Sequence, residues 1–306
     1  MGFGLSLFDI RRRNMNENKS FVIPGVQVRY FAYNCLEIKL PGGKTLMIDP
    51  CVRKTGPYSC GYGEEIVEGC DYVLINHAHR DHTLSLGELY NRFHPLIMAH
   101  EATVFELASY YDIPYMKMVP FTSGDEFDYD AFKVRVLRAR HNPAQMFMVR
   151  PSGYVDETAN DKFVNGHMKD LSEREKQIEN MGSSFNSNFL ITLPNNLKLG
   201  LFAGNPGMIE PEDKNLWRGL EPDILFAHRA PVSYENWAER MANNLAVSGA
   251  RIMVPIHIED NFLKTIDPED YVGQINRVCE QKGILGRAMY MERAQWYQFY
   301  SGVRKL

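Results

Sequence analysis

Three histidines and one aspartate lie within six residues of this sequence, and this string constrains the fold more than any other feature. It runs HAHRDH from His77 to His82. At ordinary residue frequencies an H-x-H-x-D-H string arises by chance in roughly one chain in a few thousand of this length. The string directly follows residues 71–76 (DYVLIN), an apolar run that predicts a buried strand. Side chains that emerge at the end of such a strand are well placed to build a site on a rigid scaffold.

The residue types of this string are those that bind a divalent metal. Neutral imidazoles are ligands for zinc, iron and manganese, and the carboxylate of Asp81 adds the negative charge that a second cation would need. A cluster of solvated loop histidines is the alternative, and the spacing disfavours it. We therefore expect a divalent metal cofactor, one or two ions per chain, with zinc ahead of manganese or iron.

The composition indicates a globular protein with no general attraction for nucleic acid. The 306 residues are 44% hydrophobic, and 34 basic residues face 38 acidic ones, which leaves a net charge of −4. We therefore expect a small-molecule substrate and no nucleic-acid partner. The apolar runs fall short of the ~18–20 residues of a transmembrane helix, so no transmembrane segment is expected. The sequence leaves open whether the chain forms a homo-oligomer.

Cysteine usage favours a cytoplasmic location. The chain has five cysteines, an odd number, and none of them forms a C-x-x-C pair. A disulfide framework and a thiolate zinc site are therefore both disfavoured. Residues 1–20 are predicted to form an N-terminal arm and not a secretory signal, because their apolar stretch is short and its basic cluster follows it.

Short apolar runs divided by turn signals predict two sets of strands, each followed by helices. The first half should contain strands at 26–32, 35–40, 45–48 and 71–76, with helices over 84–93 and 102–111. The second half should contain strands at 132–138, 189–192, 197–203, 223–227 and 251–255, with helices over 235–247 and 268–282. The first three strands predict an antiparallel meander. The chain lacks short repeats and low-complexity linkers, so one domain over 1–306 is expected.

A polar segment at about 151–185 interrupts this pattern. Within it, Ser172 and Glu175 form the signature of a helix capping box, and Gly182 can end the helix that begins there. The segment is either a solvated surface insertion or a lid over a nearby site, and the sequence does not decide between them.

Five motifs in order resemble the metallo-β-lactamase superfamily. They are MIDP (47–50), the HAHRDH string, RARH (138–141), FAGNPG (202–207) and VPIH (254–257). Their pattern is most similar to the branch that contains L-ascorbate-6-phosphate lactonase and N-acylphosphatidylethanolamine-hydrolysing phospholipase D. The resemblance covers about 26–261. It implies a four-layer αββα sandwich with metals at one edge of the two sheets.

The resemblance also implies a role for each motif residue. The ligands of a first metal would be His77, His79 and His141, and those of a second metal Asp81, His82 and His257. Asp49 would brace the metal loop. Taken by themselves, His141 and His257 fit surface residues as well as they fit ligands.

One motif departs from the family pattern. Asn205 stands where the family has an aspartate that bridges the two metals. An amide oxygen is neutral, so two divalent cations would face only Asp81 and a bridging hydroxide as anions. We therefore expect a weakened second site, or one that an anionic substrate completes.

The implied function is a metal-dependent hydrolase. A metal-bound hydroxide would attack an ester, lactone or phosphodiester bond of a small, anionic substrate. Asp81 would orient that hydroxide. His228 follows a predicted strand and is either a catalytic group that assists the leaving group or an ordinary loop residue. The alternative function is a metal-binding or ligand-sensing protein of the same fold that has lost turnover through Asn205.

Overall fold

The computed structural model describes residues 25–56, 58–139, 171–203, 214–230, 232, 235–258 and 266–300. The predicted N-terminal arm, His141 and Asn205 lie outside the described residues, as do residues 151–170 of the polar segment.

The described strands alternate with loops and helices along the chain. In chain order they are β1 (Val26–Tyr30), β2 (Leu36–Lys39), β3 (Thr45–Ile48), β4 (Tyr72–Leu74), β5 (Leu96–His100), β6 (Met118–Phe121), β7 (Glu126–Tyr129), β8 (Phe132–Arg138), β9 (Ser187–Thr192), β10 (Lys198–Phe202), β11 (Ile224–His228), β12 (Ile252–Ile256), β13 (Arg287–Ala288) and β14 (Trp296–Phe299). The helices are α1 (Arg80–Thr83), α2 (Leu86–Phe93), α3 (Val104–Tyr110), α4 (Glu173–Ser184), α5 (Lys214–Trp217), α6 (Trp237–Ser248) and α7 (Pro268–Lys282).

Within the described residues the strands form two seven-stranded sheets of similar design. Sheet one has the order β14-β1-β2-β3-β4-β5-β6, and sheet two the order β13-β12-β11-β10-β9-β8-β7. In each sheet an antiparallel set leads into parallel strands, which begin with the β3–β4 pair in sheet one and with the β10–β11 pair in sheet two. The predicted antiparallel meander is therefore confirmed.

Three apolar cores separate the layers. One core lies between the sheets and includes Ile38 and Leu46 from sheet one and Phe189 and Phe226 from sheet two. A second core packs sheet one against α2, α3 and residue Ile178 of α4. A third packs sheet two against α6 and α7. The predicted four-layer αββα sandwich is confirmed. None of the described helices combines the length and the apolar content needed to cross a membrane.

Local sequence signals explain how the helices begin and end. The capping box at Ser172 is present, with the Ser172 hydroxyl accepting from the backbone N–H of Glu175. Helix α7 begins after the N-cap Asp267 and ends at Lys282, followed by Gly283, where φ is +66°. The prediction that Gly182 ends α4 is wrong, because the helix continues to Ser184.

Candidate metal centre

The candidate site lies where strands of both sheets end. Asp49 follows β3, the HAHRDH string follows β4, His228 closes β11 and His257 follows β12. Strands β3 and β4 are parallel, and so are β11 and β12. Within each sheet, the residues that follow these strands therefore lie at the same end of the sheet, where the carboxyl ends of the strands meet. The backbone N–H of His257 donates to Tyr33 O at 2.7 Å, which joins this edge of sheet two to the β1–β2 turn of sheet one.

Three donor atoms converge at this edge. Oδ2 of Asp81 lies 3.1 Å from Nε2 of His257 and 3.5 Å from Nε2 of His82. Neighbouring ligand atoms around a tetrahedral zinc with bonds of about 2.0–2.2 Å are ~3.3–3.6 Å apart, so the second separation falls within this range and the first is slightly shorter. All three side chains are buried or nearly so. They therefore form a group that can hold one divalent ion.

Asp49 orients the His82 ring from the side away from Asp81. Its Oδ2 lies 2.9 Å from Nδ1 of His82, and its Oδ1 accepts the backbone N–H of Asn76 at 2.6 Å. A carboxylate can only accept here, so Nδ1 carries a proton and Nε2 is directed to the convergence point. Carboxylates hold histidine ligands in this way in many metal sites.

The charges of this group reinforce one another. Burial opposes protonation of His82, but the carboxylates of Asp81 and Asp49 outweigh it and raise the pKa of His82 to about 9. Burial likewise opposes ionisation of Asp81, but the charge of His82 and the hydrogen bond from His257 hold the pKa of Asp81 well below its usual range. Asp81 is therefore a carboxylate at neutral pH.

A chain of hydrogen bonds fixes the tautomer of His77. The amide nitrogen of Asn76 donates to Ser187 O, a carbonyl that can only accept. The amide oxygen of Asn76 must therefore face Nδ1 of His77, 2.5 Å away, so that nitrogen carries the proton. Nε2 of His77 is left as the lone-pair atom, and it lies 3.1 Å from Nδ1 of His79.

His79 is held on its other side by helix α4. Its Nε2 lies 2.8 Å from the Ser183 hydroxyl. Burial lowers the pKa of His79 to about 4, so the ring is neutral. When Nε2 of His79 donates to Ser183 Oγ of α4, Nδ1 of His79 carries a lone pair. That lone pair then faces the lone pair on Nε2 of His77. A cation between them removes that repulsion, so this pair also fits a metal.

Two site residues have a backbone conformation that favours glycine. The φ angles are +46° at Asp49 and +61° at His257. Such positions cost on the order of 1–3 kcal/mol and persist where surrounding contacts hold them. Asp49 N–H donates to Leu74 O at 3.0 Å, and His257 N–H is held by Tyr33. The strained backbone therefore lies at the two site residues that directly follow β3 and β12.

His228 lies beside this group without joining it. Its ring stacks on His257 with 4.3 Å between centroids, and its Nδ1 donates to Arg229 O at 3.1 Å. The Tyr33 ring meets His257 edge-on at 5.2 Å and contacts Tyr58 in the same way at 5.8 Å. Aromatic rings therefore cover one side of the convergence point.

The structure brings together most of the predicted site residues. His77, His79, Asp81, His82, His257, His228 and Asp49 meet at one edge, while His141 and Asn205 lie outside the described residues. The strands that precede those two residues, β8 and β10, are joined by Asn188, whose amide contacts Arg138 O and Ala203 N. Sequence reasoning missed Asn76, Glu179 and Ser183. Asn76 has a local signal, since it immediately precedes the string, and the other two have none.

Comparison with known proteins identifies the family. A model described as "Beta-lactamase superfamily domain" matches residues 27–184, just over half of the chain. The chain belongs to this superfamily. Residues 27–184 of this superfamily member include the HAHRDH string and the whole of helix α4.

Several relatives of this superfamily member carry the name UPF0173 metal-dependent hydrolase. One from Flavobacterium johnsoniae is 26% identical over 135 residues, 43% of this chain and 57% of the relative. The chain thus spans about half the length of the first relatives it matches. One from Bacillus thuringiensis is 24% identical over 254 residues, 82% of this chain and 93% of the relative.

Solved structures share the fold. Igni18, described as a novel metallo hydrolase from Ignicoccus hospitalis, has a TM-score of 0.62 and 16% identity. The similarity covers 91% of this chain and 100% of that one. The described residues of this superfamily member therefore share the fold of that structure.

Proposed function

We propose that this protein is a metal-dependent hydrolase whose metal ligands include His77, His79, Asp81, His82 and His257. The observation that carries the proposal is the convergence of the Asp81, His82 and His257 donor atoms. The pair of His77 and His79 supports it, because Nε2 of His77 lies 3.1 Å from Nδ1 of His79. Relatives named metal-dependent hydrolases support the same reaction class. His141 and Asn205 would complete the ligand set.

The proposed chemistry is attack by water on a polarised substrate. What a divalent metal supplies when bound here is a lowered pKa for water and polarisation of the electrophile's oxygen. Asp81 accepts a hydrogen bond from the attacking water and orients it, and its low pKa keeps it ionised for this task. Asp49 keeps the His82 ring in place during turnover.

His228 is proposed to assist the leaving group. Its Nδ1 proton is committed to Arg229 O, so Nε2 is the basic nitrogen of the neutral ring. Protonated at Nε2, the ring can donate to a departing oxygen beside His257. General acids placed in this way contribute about 10²–10⁴-fold to rate.

The proposed substrate is small and anionic, with an ester, lactone or phosphodiester bond. Asn205 in place of a carboxylate leaves positive charge at the centre, and an anionic substrate would compensate it. The sequence resemblance to the branch with L-ascorbate-6-phosphate lactonase points to the same substrates. We propose zinc as the metal, with manganese and iron as alternatives, and the cytoplasm as the location.

The test is turnover that depends on a metal. Tag-free protein would be loaded with zinc, manganese or iron and assayed with a phosphodiester, an ester and a lactone. We expect the native protein to hydrolyse at least one of these substrates. A chelator should abolish this hydrolysis and added metal should restore it, and the Asp81→Asn variant should lack it. His94→Asn is the matched control, because His94 is exposed and away from the site. No turnover with any metal would reject the hydrolase.

A metal-binding or ligand-sensing protein without turnover is the second candidate, and Asn205 is the residue that favours it. Asn205→Asp would restore the family's bridging carboxylate. If that variant gains hydrolysis that the native chain lacks, the native protein is the non-catalytic kind. Equal activity of both chains supports the hydrolase with Asn205 as a working residue.

A further inference from the structure

Helix α4 contacts the candidate metal loop along one of its faces. Glu179, Gly182 and Ser183 occupy that face, and all three are buried. Their spacing of three and four residues places them on the same side of a helix. Two of them reach the loop with side-chain hydrogen bonds, and the third allows close approach of the backbones.

Gly182 is the point of closest approach. A Cβ atom added there would lie 2.5 Å from Cδ2 of His79 and 2.7 Å from its backbone nitrogen. Both distances are shorter than real Cβ contacts, so any other residue would push α4 away from the loop. Glycine is a poor residue for a helix interior, and its presence here accords with this contact.

Glu179 supplies a hydrogen bond that α1 otherwise lacks. The residue before α1 is His79, whose side chain does not cap the helix. Oε1 of Glu179 accepts the first helical N–H, that of Arg80, at 2.9 Å. The short helix that carries Asp81 and His82 is therefore capped by a side chain about 100 residues away.

We propose that α4 is a positioning helix for the metal loop, with Ser183 as its key residue. In the arrangement we propose, Nε2 of His79 donates to Ser183 Oγ, 2.8 Å away, and Nδ1 is the lone-pair nitrogen, 3.1 Å from Nε2 of His77. The helix thus selects the tautomer in which both rings can bind one ion. This inference rests on the proposed metal site and extends it to a part of the chain outside the ligand motifs.

The test compares neighbouring serines of one helix. Ser184 is exposed, and among the described residues its hydroxyl donates within the helix, to Asn180 O, so Ser184→Ala is the control for Ser183→Ala. Affinity for Co²⁺ would be measured by competition with a chelator, and the melting temperature of the metal-free proteins recorded. We expect Ser183→Ala to bind Co²⁺ about 10–100-fold more weakly, the range for lost partners of metal ligands. Ser184→Ala should bind as the native chain does.

Rescue separates positioning from packing. Ser183→Thr keeps a hydroxyl and should retain most of the Co²⁺ affinity of the native chain. Glu179→Gln keeps an acceptor for the backbone N–H of Arg80, so it should bind Co²⁺ more tightly than Glu179→Ala does. Metal-free Ser183→Ala should melt a few degrees below Ser184→Ala, because it loses one buried hydrogen bond, and should remain folded at the temperature of the affinity measurement. Equal Co²⁺ affinity of Ser183→Ala and Ser184→Ala would overturn the inference while leaving the metal site intact. Failure of the native chain to bind any Co²⁺ would overturn the proposed site itself.

A second measurement needs no variant. The ¹⁵N shifts of the His79 ring in the metal-free protein report which nitrogen carries the proton. We expect Nε2–H, and a spectrum with Nδ1–H would contradict the role of Ser183.

Discussion

Asp49 and His82 are joined by a buried hydrogen bond of 2.9 Å that links the end of β3 to the candidate metal centre. The same carboxylate accepts the backbone N–H of Asn76 with its other oxygen. Both oxygens of Asp49 are thus engaged, one by the imidazole ring and one by the strand end that precedes the string.

Asp49→Asn should weaken metal binding without unfolding the protein. An amide has one accepting oxygen, so its NH₂ group would face either Asn76 N–H or the Nδ1 proton of His82. Asparagine tolerates the positive φ at this position. We expect metal affinity to fall about 10–100-fold in chelator competition. The exposed Asp128→Asn is the matched control, and equal affinities would show that Asp49 does not support the site.

The metal-free protein should lose stability between pH 6.5 and about 9. The folded-state pKa of His82 is raised from 6.5 to about 9, so the folded protein holds this proton more tightly than the unfolded chain. The stabilisation is complete below pH 6.5 and is lost as pH rises through about 9.

Melting curves across this pH range would check that loss. The decline should be smaller in Asp49→Asn, which removes one of the two charges that raise the pKa, and in the metal-loaded protein. If the melting temperature of the native protein changes with pH in the same way as that of Asp49→Asn, the assignment of this loss of stability to His82 is contradicted.

His228→Phe should lower turnover and leave metal binding unchanged. Phenylalanine keeps an aromatic ring against His257 but has no proton to donate. We expect kcat to fall about 10²–10⁴-fold, with metal affinity within about threefold of the native value. His257→Asn should lose metal. If His228→Phe loses as much metal as His257→Asn, then His228 is a ligand and not an acid.

The buried pair of Arg29 and Glu37 should be a large source of stability. These residues face each other across β1 and β2, and both are almost completely buried. Removing one partner of such a pair costs about 3–5 kcal/mol. Urea unfolding of Glu37→Gln should show a loss of this size, while Glu126→Gln, which breaks an exposed pair with Arg135, should change little. A loss below about 1 kcal/mol for Glu37→Gln would contradict this prediction.

The sequence predicted the central strands and missed the edges. β6, β7, β13 and β14 are the outermost strands of the two sheets, and none of them was predicted. An edge strand needs apolar residues on few positions and tolerates proline, as Pro120 in β6 illustrates.

The same contrast holds at the site. The HAHRDH string is contiguous, so its residue types and spacing indicate a metal without any structure. Ser183 reaches His79 across 104 residues of sequence, and a serine at the end of a polar helix carries no local signal. Gly182 was misread for a related reason, since the contact with His79 that requires glycine is visible only in three dimensions.

Metal content per chain is the most direct test of the proposed centre. Tag-free native protein, Asp81→Ala and His94→Asn would be loaded with zinc, freed of excess metal by gel filtration and measured by plasma mass spectrometry. We predict one or two zinc ions per native chain, the same for His94→Asn, and at least one fewer for Asp81→Ala. Native protein without bound metal, or equal content in Asp81→Ala, would contradict a metal centre at this edge.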